Sequence, residues 1–180
     1  MKRFLIFLLF TLFIIHFVHA QVEKGYNLVG GITNIGLDSD RFTFGLTPDI
    51  GWFVKDRLAV GGQLFMYLRD GENSTSFIVS MMPFGRYYFG KSKTKVFIHG
   101  AIGIGIGTYW SNFGGEKTKI SESELHYDLR AGVAHFVVDH VALEAALVYR
   151  NYGITHDLYG SFGIDFGFQI HIFRIFNKKN

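Results

Sequence analysis

The strongest constraint on this chain is an alternation of apolar with small or polar residues from Arg41 to Arg69, interrupted mainly at 55–57. The apolar face of its first half consists of Phe42, Phe44, Leu46, Pro48, Ile50, Trp52 and Val54. Successive side chains of a strand leave opposite faces, so a period of two predicts extended strands. Strands of a dozen or more residues with one unbroken apolar face and a small or polar opposite face suit a barrel in lipid.

The first twenty residues have the parts of a secretory signal peptide. Lys2 and Arg3 give a positive start, large apolar side chains dominate residues 4–18, and Ala20 ends a suitable cleavage site. The alternative is an uncleaved anchor, but a helix needs ~20 apolar residues to cross a bilayer. We therefore expect residues 1–20 to be removed and residues 21–180 to form one barrel domain. The chain has no cysteine, which excludes disulfides and a lipoprotein anchor.

Charge and hydropathy exclude two further classes of protein. Without Lys2 and Arg3, 16 of the 18 basic residues remain against 15 acidic ones, which gives a net charge of +1. There is no basic stripe beyond Lys178 and Lys179, so we expect no contact with nucleic acid. No segment after residue 20 approaches ~20 consecutive apolar residues, so we expect no transmembrane helix.

The chain after residue 20 divides into eight alternating segments. They cover residues 22–34, 41–54, 58–69, 76–89, 95–109, 124–137, 140–150 and 160–173. The connections between them alternate in length, with short ones at 55–57, 90–94 and 138–139 and longer polar ones at 35–40, 70–75, 110–123 and 151–159. Short turns at one end and long loops at the other are typical of outer-membrane barrels. Pro48 and Pro83 lie inside segments, and we predict a bulge or a local break at each because proline lacks a ladder donor.

Two strings resemble a known family. Residues 45–61 read GLTPDIGWFVKDRLAVG, and residues 83–89 read PFGRYYF. They resemble the outer-membrane beta-barrel domain family, the small eight-stranded OmpA- and OmpX-like barrels of Gram-negative bacteria. The resemblance implies an integral outer-membrane protein of the cell envelope, with outer-membrane lipid around it and no shared catalytic residues. Members of this family serve as adhesins, stabilisers or accessory subunits.

The last segment carries a second resemblance. Asp165, Gly167, Ile170 and Ile172 fit the polar-x-Gly-x-x-apolar-x-apolar signal that the barrel-assembly machinery reads during insertion. Such signals usually end the chain, whereas residues 173–180 follow here. The alternative is an ordinary amphipathic strand.

The faces opposite the apolar ones carry charges of both signs. They are Asp49, Asp128, Glu144 and Asp165 with Arg86 and Arg130, and Gln63, Gln169, His99 and His171 lie beside them. An eight-stranded barrel is just wide enough for side chains to fill it, and buried charges must be paired. We therefore predict an interior network that plugs the lumen. The alternative function for these groups is a gated pore or proton path.

Other chemistry finds weaker support in the sequence. Its histidines are scattered without ligand spacing, so we expect no metal and no cofactor. A lipid A-modifying barrel enzyme of the acyltransferase or deacylase type needs a Ser–His–acid set near the outer rim. The candidates for that set are Ser74, Ser76, Ser161, His126, His156, Asp157 and Glu124. A secreted soluble barrel for a small apolar ligand is a third alternative, and it requires the apolar face to point inward.

These observations favour a non-catalytic outer-membrane barrel that acts in envelope structure or in interaction through its outer loops. The loop 110–123 is the best candidate for contact with an envelope or surface protein, because it is long and mixes aromatic, glycine and charged residues. Its candidate contact residues are Trp110, Phe113, Gly114 and Gly115.

Overall fold

In the computed structural model the chain forms eight β-strands. The structure describes residues 22–38, 41–72, 74–113, 116–151 and 161–173, so the predicted signal peptide lies outside the described residues. In these ranges no helix has the length and apolar character needed to cross a membrane. The strands are β1 Tyr26–Asp38, β2 Arg41–Lys55, β3 Leu58–Gly71, β4 Ser74–Phe89, β5 Thr94–Phe113, β6 Glu116–Val138, β7 Val141–Asn151 and β8 Ser161–Phe173.

Every strand pairs antiparallel with the next one, and β8 pairs with β1 to close the barrel. The result is an all-β, eight-stranded antiparallel up-and-down barrel, which confirms the predicted fold class. We call the end with the connections 56–57, 90–93 and 139–140 the short-turn end. The opposite end is called the hairpin end.

Three of the four predicted long loops at the hairpin end are largely strand, and the fourth, 151–159, lies outside the described residues apart from Asn151. The predicted loop 110–123 is mostly paired strand, since Trp110 pairs with Lys119 and Phe113 with Glu116. The predicted connections 35–40 and 70–75 are also largely strand, because β1 runs to Asp38 and β3 to Gly71. The sequence prediction was wrong here because Ile120 is the only apolar residue in 116–123, so this segment carries no period-two apolar signal.

Side chains alternate between the two faces of the wall as the sequence predicted. Ile50, Ile102, Ile104, Ile164 and Phe166 are more than half exposed on the outside. Asp49, Asp165 and the other interior charges are buried. This arrangement is the reverse of what a soluble barrel for an apolar ligand requires. It matches a wall that faces hydrocarbon, with a polar interior.

Neither proline changes the register of its strand. Pairing between β2 and β3 is interrupted between Leu46 and Asp49, and pairing between β4 and β5 is interrupted between Met81 and Phe84. The register is the same on both sides of each interruption, so the predicted breaks occur on one side of each strand without a bulge. The irregularities in register lie instead at the short-turn end, at Phe53/Lys55 and Phe136/Val138.

Aromatic rings fill the lumen near the short-turn end. Phe53, Phe136 and Tyr88 surround His171, with ring centroids 5.1 to 5.9 Å from the imidazole. These four residues are at most 2% exposed. The segment before β1 covers this end, since the Arg57 amide donates to the Val22 carbonyl at 2.7 Å. The polar residues of the interior therefore lie between this aromatic cluster, which forms an apolar base at the short-turn end, and the hairpin end.

Candidate functional site

Arg86 is the centre of the interior charges. Its Nη1 donates to both carboxylate oxygens of Glu144, at 2.9 and 3.0 Å, and its Nη2 lies 3.6 Å from Asp49 Oδ2. The guanidinium carbon also lies 4.7 Å from the centroid of the Phe97 ring. Gln169 completes this half by donating to both oxygens of Asp49, at 3.1 and 3.2 Å. Arg86, Asp49 and Glu144 are thus paired where water does not reach them, as buried charges require.

A second group of ion pairs lies nearer the hairpin end. Arg130 makes a two-pronged contact with Asp128, with both nitrogen–oxygen distances at 2.7 Å. Arg150 pairs with Asp165 through both of its terminal nitrogens. Its Nη2 is also 3.7 Å from Asp128 Oδ2, which links the two pairs. Planar guanidinium groups suit such two-pronged contacts with carboxylates.

His99 and Gln63 join the two groups into one network. Arg86 Nε donates to His99 Nδ1 at 3.2 Å, and His99 Nε2 lies 2.8 Å from Gln63 Oε1. The same Gln63 oxygen accepts from Arg130 Nη2 at 3.4 Å. A continuous path of polar contacts therefore runs from Gln169 to Asp165. It contains three guanidinium groups and the four carboxylates of Asp49, Asp128, Glu144 and Asp165.

The strand register places several of these residues side by side. Asp49 is the cross-strand partner of Gln63, and His99 is the partner of both Arg86 and Arg130. Neighbouring inward positions on adjacent strands bring side chains within contact distance. Glu144 reaches Arg86 differently, because β4 and β7 are not neighbours and the contact crosses the lumen.

The six charges named from the sequence all lie buried in the interior, and each has a partner of opposite charge. Arg150, which ends the predicted segment 140–150, was not among the interior charges named from the sequence. Its position was nevertheless readable, since it lies six residues after Glu144 and an even spacing keeps the same face. Tyr88 was also missed as a polar contributor, although its hydroxyl accepts from Arg86 Nη1 at 3.2 Å.

The four residues of the predicted insertion signal divide between interior and wall. Asp165 lies inside with Arg150, while Ile172 is partly exposed on the outside and Ile170 is half-buried. Gly167 has a structural reason of its own, because a Cβ there would overlap the carbonyl oxygen of Gly31 on β1. Gly167 therefore allows the close approach of β8 to β1 whether or not a signal is read.

The residues named for an enzyme do not form a described Ser–His–acid set. His156 and Asp157 lie outside the described residues, and nothing is described of the Ser161 side chain. His126 points into the interior, where its Nδ1 is hydrogen-bonded to Ser80 Oγ, a serine that the sequence analysis did not consider. Both residues are at most 2% exposed, so substrate in the membrane or in solution has no direct access to this pair. Gly105 separates β4 from β6 here, and a Cβ on it would overlap both side chains.

A groove of about 460 Å³ lies at the hairpin end, between the β3–β4 and β5–β6 hairpins. Thr75 donates to Asp70 at 2.6 Å on one side, and Lys119 Nζ lies 5.7 Å from the Trp110 ring centroid on the other. Of the predicted contact residues, Trp110 lines the groove and Phe113 ends β5, although its side chain is not described. Gly114 and Gly115 lie outside the described residues. In the described part of the chain no three His, Asp or Glu side chains are placed to hold a metal ion.

No family model and no curated protein matches the sequence. Solved structures do match over most of its length. Neisserial surface protein A has 16% identity and a TM-score of 0.59, and the match covers 82% of this chain and 97% of that one. Ail, the attachment invasion locus protein of Yersinia pestis, has 14% identity and a TM-score of 0.57, with 83% and 99% covered. The N-terminal beta-barrel domain of Pseudomonas aeruginosa OprF has 12% identity and a TM-score of 0.51, with 83% and 98% covered.

These identities are too low to carry over anything beyond the fold. The structural matches confirm, at the level of the fold, the predicted resemblance to small eight-stranded outer-membrane barrels.

Proposed function

We propose that this chain is a non-catalytic integral outer-membrane barrel with a plugged lumen, acting in envelope structure or in contacts made by its hairpin end. The observation that carries the proposal is the opposition of the two faces. The wall exposes large aliphatic and aromatic residues, whereas the interior holds a continuous network of paired charges above an aromatic base. A barrel in water would expose its large apolar outer wall to solvent, and the paired charges of its interior would not compensate for that exposure.

The small number of strands and the filled interior support a closed lumen. Aqueous channels are formed by barrels of ~16 strands. This barrel has eight strands, and the contact between Arg86 and Glu144 crosses its interior. Phe53, Phe136 and Tyr88 close around His171 below the network. In planar bilayers we expect the purified protein to give no discrete conductance steps. Stable conductance steps that disappear when the protein is denatured by heat would overturn the plugged lumen while leaving the membrane location intact.

The hairpin end is the surface that we assign to contacts. The groove there presents Asp70, Glu72 and Lys119 beside the Trp110 ring, so it offers both charges and an aromatic anchor. Aromatic and charged groups of this kind are typical of binding hot spots and of the rims around them.

In-cell photo-crosslinking tests this assignment. A photo-reactive amino acid is placed at Ser111 in the groove, and a matched control carries it at Lys55 near the other end. We expect a discrete adduct with an envelope or surface partner from Ser111 and none of that mass from Lys55. Equal adduct patterns at both positions would contradict a contact role for the hairpin end.

A non-catalytic role is supported by the burial of the Ser80–His126 pair. If the protein modified lipid A, overexpression would change the mass of that lipid, and His126→Ala would abolish the change. We expect lipid A of identical mass from cells with and without the protein.

A further inference from the structure

The outer wall has a groove of about 470 Å³ where glycines replace side chains. Gly85 on β4 and Gly100 on β5 are cross-strand partners that face outward. A Cβ at Gly85 would meet no atom within 4 Å, and one at Gly100 would meet only Leu129 Cδ2, at 3.5 Å. The outward side chains along the groove are Leu58, Tyr87, Ile98 and Leu129, while Arg86, His99 and Arg130 also line it but are buried with their side chains in the interior network. The groove is therefore open, apolar and free of outward charge.

The groove lies at the depth of acyl chains on the short-turn side. Gly85 is five residues from Gly90, where β4 has ended, which is about 17 Å along the strand and about 13 Å along the membrane normal for a strand tilted by ~40°. Half of a hydrocarbon core of ~30 Å is about 15 Å. Towards the other end, β4 continues for eleven residues to Ser74. The groove thus belongs to the leaflet on the short-turn side.

An aromatic pair lies between the groove and the short-turn end. The rings of Tyr87 and Phe89 meet edge to face, with centroids 4.8 Å apart, and Phe89 is exposed on the outside. Aromatic residues mark the level of the lipid headgroups in membrane proteins. A lipid chain in the groove would therefore have its glycerol region beside this pair.

Beyond the aromatic pair, the end of β2 and the connections 56–57 and 90–93 carry four cations, which we call the basic collar and define as Lys55, Arg57, Lys91 and Lys93. One carboxylate, Asp56, accompanies them in these segments. The Tyr88 amide donates to the Arg57 carbonyl at 2.9 Å, and the Phe136 amide donates to the Lys93 carbonyl at 3.0 Å. These bonds hold both connections against the bases of β4 and β6, two of the strands that form the groove. Basic residues at a membrane surface attract anionic lipids.

We propose that the groove and the basic collar bind one anionic phospholipid, with an acyl chain between Gly85 and Gly100 and the phosphate on the collar. This inference rests on the proposed membrane location. An aliphatic groove selects a hydrocarbon chain, and the collar complements a negative headgroup at the other end of the same molecule. A zwitterionic phospholipid fills the groove equally well but gains less from the four cations.

Native mass spectrometry of the protein, purified from outer membranes in non-ionic detergent, tests the proposal. The protein is titrated with phosphatidylglycerol or with phosphatidylcholine of the same chain length. We expect the wild type to retain one phosphatidylglycerol more strongly than one phosphatidylcholine. Lys91→Gln with Lys93→Gln lowers retention of phosphatidylglycerol by about fivefold per lysine and leaves phosphatidylcholine unchanged.

Gly85→Leu fills the groove and lowers retention of both lipids by about tenfold, which is the effect of excluding two methylenes. Gly100→Val does the same from β5 and replaces Gly85→Leu if that variant fails a heat-shifted gel assay for the folded barrel. Two controls leave retention unchanged. Ala145→Leu adds outward bulk on β7, and Lys119→Gln removes a cation at the hairpin end.

Equal retention of the two lipids by the wild type, or normal retention by both glycine variants, would overturn the proposal. So would a co-purifying protein or a second copy of the chain that Gly85→Leu releases, because the groove would then be a protein contact. Failure of the membrane location is a separate result. It would appear as wild-type protein that remains in solution without detergent.

Discussion

Arg86 on β4 and Glu144 on β7 meet across the lumen, with Nη1 at 2.9 and 3.0 Å from the two carboxylate oxygens. The two strands share no pairing in the sheet, so this contact ties opposite parts of the wall together. Both side chains are almost entirely removed from solvent. Loss of either charge leaves the other one buried beside a weaker set of partners.

Glu144→Gln is therefore expected to destabilise the barrel strongly. Removing one partner of a buried ion pair typically costs about 3–5 kcal/mol, because the remaining charge stays desolvated. The free energy of unfolding is measured by urea titration of the barrel in lipid vesicles. Glu72→Gln, an exposed carboxylate at the hairpin end, is the control and leaves the value unchanged. Equal stability of both variants would show that Arg86 does not depend on Glu144.

Asp165→Asn is expected to cost less than Glu144→Gln. Arg150 keeps Asp128 at 3.7 Å, and its side chain retains 10% exposure, so water relieves part of the lost pairing. Glu144 and Asp165 have no direct partner in common but belong to one network, and residues of one network typically couple by about 0.5–3 kcal/mol. The loss in the double variant should thus differ from the sum of the two single losses by at least about 0.5 kcal/mol in the same urea titration. A loss equal to that sum would show that the two groups of ion pairs act independently.

The sequence was sufficient for the wall of the barrel and for most of its interior charges. Strict alternation assigns Asp49, Arg86 and Glu144 to the face opposite the aliphatic residues, and each is buried in the structure. It could not say which charges meet, because the Arg86–Glu144 contact depends on the closure of β8 onto β1 and on the width of the lumen. No local pattern encodes either quantity.

Hydrophobic periodicity stopped predicting strand where the apolar signal ended. Residues 116–123 continue β6 beyond the apolar part of the wall, and their pairing with β5 is specified by the backbone ladder rather than by hydropathy. The Ser80–His126 contact was missed for a different reason. These residues lie on strands separated by β5, and they meet only because Gly105 has no side chain between them.

Gly105→Ala tests that explanation. Its Cβ would overlap atoms of both Ser80 and His126, so one of them must leave its position. Overpacking of a filled interior typically costs about 1–3 kcal/mol. We expect a loss of this size in the unfolding free energy, and a smaller one when Gly105→Ala is introduced into a His126→Ala background. An equal loss in both backgrounds would show that the strain does not come from the imidazole.

The paired tip of the β5–β6 hairpin should be separable from the barrel. Replacing residues 111–118 by Asn-Gly joins Trp110 to Lys119, which are cross-strand partners, through a favoured two-residue turn. The interior network is left intact, so we expect an unfolding free energy within about 0.5 kcal/mol of the wild type, as for surface changes. For this test the photo-reactive amino acid is placed at Ser74, a groove residue that the variant keeps, and its crosslinking should be lost when residues 111–118 are replaced. Crosslinking that persists from Ser74 would move the contact site to other parts of the hairpin end.

Variants of Gly167 and Ile172 distinguish a role of β8 as an insertion signal from its role in closing the barrel. Ile172 is partly exposed on the outside of β8, so Ile172→Asn leaves the interior untouched, whereas a Cβ at Gly167 would overlap the Gly31 carbonyl. If the assembly machinery reads this strand, Ile172→Asn lowers the yield of folded barrel in cells but not in spontaneous refolding into lipid vesicles. Gly167→Ala lowers both, because the seam between β8 and β1 cannot close without strain. Normal assembly of Ile172→Asn in cells would leave β8 as an amphipathic strand whose glycine serves closure alone.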